Sequence, residues 1–324
     1  MNFSLKTTHK PVKDYYSALD KYVQLGFEHE GAVKNAFANL LRLVAKKFGY
    51  TLIEEYKVGK NGKHVFVDGA LIDDFKLSHG YWEAKDTHDD LDKEVSKKFS
   101  QGYPRDNIIF QAPGQAIIIQ NGSEVLNTDL SHPENLIQAL EVFFRYQPPH
   151  HEEWRKAVDE FKEKVPKIAQ GMKELIEKER QTNKRFIQAF ENFSDMCRRS
   201  INPNLAIEAI EEMLIQHLLT VRIFSKIFDN PDFVNKNIIA HEIEKVIDAL
   251  TSHYFNKGEF LKPLDPFYAA IETTAATIGD FSQKQDFLNT VYEKFFQGFS
   301  GKVADTHGIV YTPQPIVQFI VKSV

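Results

Sequence analysis

Apolar positions recur first at helical spacing, then in short strand-like runs, then at helical spacing for most of the remaining chain. Residues 1–27 mix polar side chains with Tyr15, Tyr16 and Tyr22 and read as a short helix or arm. Val33, Phe37, Leu40, Leu41, Val44 and Phe48 follow a helical period, and Gly49 stands where a left-handed cap belongs. Residues 51–58 then read as a strand, Asn61-Gly62 as a tight hairpin turn, and the apolar run from Val65 to Ile72 as the returning antiparallel strand. A second apolar run reaches Glu83-Ala84-Lys85. The pattern next predicts a helix over 90–100, stopped by Gly102 and Pro104, and strands over 107–110 and 115–119 before an Asn121-Gly122 turn. Ser131-His132-Pro133-Glu134 has the form of a capping box with an early proline, and Leu136, Leu140, Phe143 and Phe144 continue that helix. This alternation predicts a compact α/β domain.

Gln147-Pro148-Pro149-His150-His151 reads as a linker. From Glu152 to about Phe299 the pattern is helical throughout. One stripe holds Phe161, Val165, Ile168, Met172, Leu175 and Ile176, and a denser one holds Ile207, Ile210, Met213, Leu214, Leu218, Val221 and Phe224. Another helix is expected around Phe287, Val291, Tyr292, Phe295 and Phe296. The final stretch is a loop entering an amphipathic helix that reaches Val324 with no cap or polar tail. We read it as the front of a longer polypeptide or of a truncated gene. The boundaries expected are 1–147, 148–300 and 301–324.

Composition narrows the classes. The chain has 324 residues and 42% hydrophobic content, enough to bury a core and to hold two or more domains. Its one cysteine, Cys197, excludes a disulfide framework and a cysteine-rich zinc site, which fits a cytoplasmic location. The N-terminus lacks a signal-peptide core, and no apolar run approaches the ~20 residues of a membrane span, so no membrane partner is expected. The formal net charge of -5 does not by itself advertise nucleic-acid binding. Carboxylates recruited for a metal would lower it.

Three residues carry the candidate chemistry. Asp68 ends one apolar run, and Glu83 and Lys85 flank a small residue in the next. Residues two apart on a strand share a face, so Glu83 and Lys85 project together, and pairing of the two runs can bring Asp68 beside them. Two carboxylates aimed at one point suit a hard divalent cation, and a neighbouring ammonium can hold or polarise a water. That is a minimal kit for cutting a phosphodiester; a plain ion pair on a strand is the bland alternative. Glu160-Phe161-Lys162 repeats the pattern on a helix, where positions two apart diverge and cannot share a ligand. Glu30, in the first turn of its helix, is either a favourable charge on the helix dipole or a third carboxylate for the cation. Adjacent His150 and His151 read as solvent-facing, His217 as a satisfied core histidine, and Lys184, Arg185, Arg198 and Arg199 as solvated helix charges rather than phosphate contacts.

Taken together, several stretches resemble a known family. Asp68-Gly69 with Glu83-Ala84-Lys85 resembles the PD-(D/E)XK nuclease core, with Val67 where a proline often stands. Residues 80–86, then 97–104 and 107–110, are similar to the N-terminal nuclease of single-polypeptide restriction–modification enzymes, the Type I single-polypeptide and related Type II groups. Residues 216–224 resemble their helical coupler, and residues 308–313 the opening motif of their adenine methyltransferase. The resemblance implies an α/β restriction-endonuclease-like domain followed by an all-α helical domain. It implies Mg2+ on Asp68 and Glu83, completed by Glu30, with Lys85 orienting the attacking water and Gln101 assisting. Tyr311, Thr312 and Pro313 would lie on the S-adenosylmethionine side of a methyltransferase formed in the full-length protein. Double-stranded DNA is the implied substrate, with homodimerisation as a route to double-strand cleavage.

The departures from that family also carry meaning. No Walker-type phosphate loop occurs, so no ATP-driven motor is expected. The methyltransferase's catalytic loop and main glycine-rich loop are likewise missing from these residues. The rival reading from another class is a DNA-binding and coupling scaffold that is inactive without the domains after Val324.

Overall fold

The computed structural model describes residues 3–26, 30–60, 63–86, 90–148, 151–227, 234, 237–251, 255–294, 316 and 323. They form two units: residues 1–151 with 278–290, and residues 152–277 with 291–324.

The first unit opens with α1 (Lys10–Leu25), which has Pro11 in its first turn, where a missing N–H costs nothing. Its end is closed by Gly26 at φ 71°. Then follow α2 (Glu30–Lys47), β1 (Thr51–Lys60), β2 (Lys63–Ile72), β3 (Ser78–Ala84), α3 (Leu91–Ser100), β4 (Asn107–Ala112), β5 (Gln115–Gln120), β6 (Ser123–Asp129) and α4 (Pro133–Arg145). The six strands form one sheet in sequence order. Every neighbouring pair is antiparallel except β3–β4, which is parallel and therefore bridged by α3.

Two apolar cores flank the sheet. Phe37, Leu40 and Leu41 of α2, Tyr15 of α1 and Leu136, Leu140 and Phe143 of α4 pack with Trp82, Ile109 and Ile118. On the other face Leu91 and Val95 of α3 pack with Val67, Ile108, Phe110 and Ile117. The continuous burial of β4 follows from cover on both sides.

Two expectations are corrected. Strand β6 was not foreseen: only Leu126 of its seven residues packs against a core, so its sequence shows no buried run. The capping box at Ser131 does not form. The Ser131 hydroxyl donates to Asp129 Oδ2 instead (2.7 Å), and α4 begins at Pro133 with no side-chain cap. The Asn61-Gly62 turn lies outside the described residues.

The second unit is helical, as expected. It holds α5 (His151–Thr182), α6 (Lys184–Ser200), α7 (Ile207–Ile227), α8 (Ile238–Leu250), the single turn α9 (Lys257–Leu261), a 3-10 turn (Lys262–Leu264) and α10 (Asp265–Thr277). A further helix, α11 (Phe281–Tyr292), contributes its first part to the first unit, where Gln283 Nε2 donates to the Lys57 carbonyl at 3.3 Å. Asn183 caps α6 through the Phe186 N–H and also donates to the Ala249 carbonyl of α8. Phe161 stacks on Phe267 at 3.5 Å between ring centres, which fixes α5 against α10. His217 is bonded to Glu244 at 2.9 Å on the inner side of α7, as a satisfied core histidine should be. Arg198 and Arg199 donate to the Leu205 and Asp195 carbonyls. Among the described residues no helix is long and apolar enough to cross a membrane.

Asn107 ties the sheet to α4. Buried at the start of β4, it donates to the His79 and Phe143 carbonyls (3.1 and 3.0 Å) and accepts from Gln120 Nε2 (3.1 Å). Asn107→Ala is expected to strand these groups and cost about 1–3 kcal/mol, read as a lower urea midpoint. An unchanged midpoint would show that water replaces the amide.

A second expectation concerns pH. Burial works to raise the Glu244 carboxyl, but bonds from His217 and Lys257 prevail and hold it below the ordinary glutamate range. A depressed folded value stabilises above the unfolded range and is lost as pH falls through the folded value. Glu244→Gln should therefore flatten the acid side of the stability–pH curve, an effect a denaturation series below neutral pH would detect.

Candidate functional site

The site forms where the β2–β3 ladder opens. Pairing of β2 with β3 runs from Ile72↔Ser78 to Gly69↔Trp82 and stops there; Asp68 pairs with neither neighbouring strand. Opposite it on β1, Glu55 has a φ of 50°, an unusual conformation for a residue with a side chain. Val67 and Leu71 should share a face of a regular strand, yet Val67 lies in the core under α3 and Leu71 in the core under α1, α2 and α4. The strand therefore rotates at Asp68-Gly69. Gly69 allows it, because a Cβ there would stand 2.9 Å from both Leu52 and Trp82.

The rotation turns the Asp68 carboxylate into the gap. Its Oδ2 accepts from the Ala84 N–H at 2.7 Å, and its Oδ1 from Lys34 Nζ of α2 at 2.6 Å. Lys34 also pairs with Glu55. Asp68 is thus held against the residue between Glu83 and Lys85.

Glu83 and Lys85 share a face, as their spacing requires. Lys85 follows the last residue of β3 but stays aligned because its N–H donates to the Gln111 carbonyl at 2.8 Å. Lys85 Nζ donates to Glu83 Oε1 at 2.9 Å. The same oxygen meets Lys98 Nζ of α3 at 2.5 Å. Lys98 in turn donates to the Tyr103 hydroxyl (2.9 Å), which donates to the Phe66 carbonyl of β2 (2.6 Å). Glu83 and Lys85 are only 3% and 6% exposed.

Burial and pairing set the charge states. Desolvation acts to lower the Lys98 ammonium, but its bonds to Glu83 and Tyr103 outweigh it and hold the group above the ordinary lysine range. Lys34 is raised in the same way, against burial, by Asp68 and Glu55. Burial also pushes the Tyr103 phenol up, and the charges of both Glu83 and Asp68 add to that while Lys98 opposes it. Tyr103 therefore senses both carboxylates.

Among the described residues Glu83 Oε2 has no hydrogen-bond partner, and neither has the side-chain amide of buried Gln111, which lies on the other face of the sheet. Gln111 is aligned with Ala84 across the parallel pair. A buried carboxylate oxygen left open is a donor atom available to a hard cation.

Of the residues singled out from sequence, the structure gathers Asp68, Glu83 and Lys85. Gln101 does not join them: it is exposed at the C-cap of α3, where its backbone N–H closes the helix. Glu30 begins α2, but its side chain lies outside the described residues, as do His150, the His151 side chain, Tyr311, Thr312 and Pro313. Among the described residues no three His, Cys, Asp or Glu side chains form a metal-holding group. Sequence reasoning missed Lys34, Lys98 and Tyr103. For Lys98 a signal existed: it falls three after Val95 and seven after Leu91, which places a lysine on the apolar face of α3.

Comparison with known proteins adds to this geometry. Residues 157–283 match the model of a family described as the Type ISP restriction-modification enzyme, coupler domain. The match includes residues 216–224, where sequence suggested a coupler. No curated protein matches the chain. Among solved structures, the cryo-electron-microscopy structure of the DrdV–DNA complex is 35% identical, covering 97% of this chain and 31% of that chain with a TM-score of 0.48. The chain thus spans about a third of that protein's length. The coupler match supports a restriction–modification setting for the helical unit.

Glu83→Ala should leave the Lys85 and Lys98 ammonium groups without their shared buried acceptor and destabilise the first unit by about 3 kcal/mol. Urea denaturation in metal-free buffer measures this. A loss below about 0.5 kcal/mol, the scale of an ordinary surface substitution, would mean the two lysines are adequately solvated.

Proposed function

We propose that the first unit is a PD-(D/E)XK-type, Mg2+-dependent endonuclease that hydrolyses phosphodiester bonds of double-stranded DNA. On this reading the chain is the cutting and coupling part of a restriction–modification enzyme, with a nuclease over 1–147, a helical coupler over 148–300 and the start of an adenine methyltransferase over 301–324. The observation that carries it is the junction of Asp68 with Glu83 and Lys85 at the opened end of β2–β3, with one buried Glu83 oxygen left without a hydrogen bond. The coupler match supports the setting.

The residues fit the cation by chemistry. Asp68 and Glu83 offer hard carboxylate oxygens, and Glu30 is the further donor the family resemblance suggests. Bound there, magnesium would neutralise the phosphate and acidify a water. The chain's own groups supply the rest. Lys85, fixed by Glu83 and by its backbone bond to Gln111, holds its ammonium where it can orient the attacking water and stabilise developing negative charge. The Ala84 N–H and Lys34 hold Asp68 in its rotated position. Solvent protonates the departing 3′ oxygen. S-adenosylmethionine would bind only in the full-length protein, with Tyr311, Thr312 and Pro313 on its side of the methyltransferase.

Asp68→Ala and Lys85→Ala should each lower Mg2+-dependent cleavage of supercoiled plasmid by about a hundredfold or more, with the circular dichroism spectrum retained. Wild-type cleavage rates in both variants would sink the assignment. A chain that neither cuts nor binds Mg2+ would instead be a coupling scaffold.

A further inference from the structure

We infer that Lys98 is a positioning residue with two alternative partners. It neutralises Glu83 while the cation is absent, and it passes its ammonium to a phosphate of the bound strand when the cation takes Glu83. The inference rests on the nuclease reading above and goes beyond it in assigning a role to α3.

Glu83 Oε1 already accepts from two ammonium groups, Lys85 at 2.9 Å and Lys98 at 2.5 Å, while Oε2 is buried and open. The two lysines are not equivalent. Lys85 is anchored at its own backbone, one residue beyond β3, and its side chain is 8% exposed. Lys98 reaches in from a different element, is 18% exposed, and has a second acceptor in the Tyr103 hydroxyl. It can therefore leave Glu83 without losing every bond. The hydroxyl that would keep it nearby is itself tied to the Phe66 carbonyl, two residues before Asp68.

Charge supplies the driving force. Asp68 and Glu83 face Lys34, Lys85 and Lys98, with Glu55 beside Lys34 and Glu94 at 4.0 Å from Lys85. Lys97 pairs with Glu94 at 2.7 Å, which gives four cations against four anions, so the metal-free site is compensated. A divalent cation adds two positive charges in a partly desolvated place, and like charges there repel strongly. The repulsion falls hardest on the lysine sharing Glu83 Oε1 that is free to move. An incoming phosphate offsets part of that excess, so cation and nucleic acid should favour one another's binding.

The test is Mg2+ binding to the whole chain by calorimetry, with single-turnover plasmid cleavage as the second readout. Lys98→Met removes the competing charge, so Mg2+ should bind about tenfold more tightly than to wild type. Cleavage at saturating Mg2+ should nevertheless fall by about tenfold, and Lys98→Arg should recover part of it. Lys98→Gln, which keeps a donor for Tyr103, substitutes if the methionine variant does not fold. Mg2+ affinity that is unchanged or weaker in the neutral variants overturns the exchange, because Lys98 would then only build the site. Cleavage unchanged at saturating Mg2+ overturns the phosphate contact. The parent reading is tested separately: if Asp68→Asn binds Mg2+ as wild type does, the cation is elsewhere and the nuclease site itself fails, whatever Lys98 does.

Discussion

Removing a carboxylate from water costs several kcal/mol unless cations and donors replace the lost solvent. Glu83 sits under that constraint, in the middle of a sheet with α3 packed over it. Much of the surrounding arrangement follows. Lys85 must lie two residues on, to share its face; Lys98 must reach it from the apolar side of α3; and Tyr103 must hold Lys98 in place. Asp68 meets the same constraint more simply, with one backbone N–H and one lysine.

These local solutions are mutually dependent. The rotation of β2 at Asp68-Gly69 opens the ladder, and only an opened ladder leaves the Ala84 N–H free to bond a side chain rather than a strand. A regular β2 would place Asp68 in the ladder and tie up that N–H. The unusual backbone of Glu55 on the facing strand belongs to the same irregularity. Local departure from regular structure is expected where chemistry competes with folding.

Much of the first unit was legible because its signals were periodic. The stripe through Phe37, Leu41 and Val44 marked α2, and the two-residue spacing of Glu83 and Lys85 placed both on one face. Strand β6 escaped because an edge strand with one face in solvent has little to bury, and Leu126 alone does not make a pattern. Ser131 had the spacing of a cap, but Asp129 was a nearer partner for its hydroxyl. Gln101 was chosen by resemblance, yet its place at the end of α3 directs it to solvent, while Lys98 one turn earlier points inward. Lys34 was illegible in a different way: its partner lies 34 residues on, and nothing local announces such a pairing.

The parallel alignment of β3 and β4 has a kinetic corollary. The chain must leave the sheet after Lys85, build α3 and return at Asn107 before these strands can touch, so no hairpin can zip them together. The flanking meanders, β1–β2–β3 on one side and β4–β5–β6 on the other, close over short loops. The seam between them costs the larger loop entropy and forms only once both meanders are available to meet. Glu83 stands opposite Phe110 across that seam, so the acidic centre comes into being at the moment the two halves of the sheet become one.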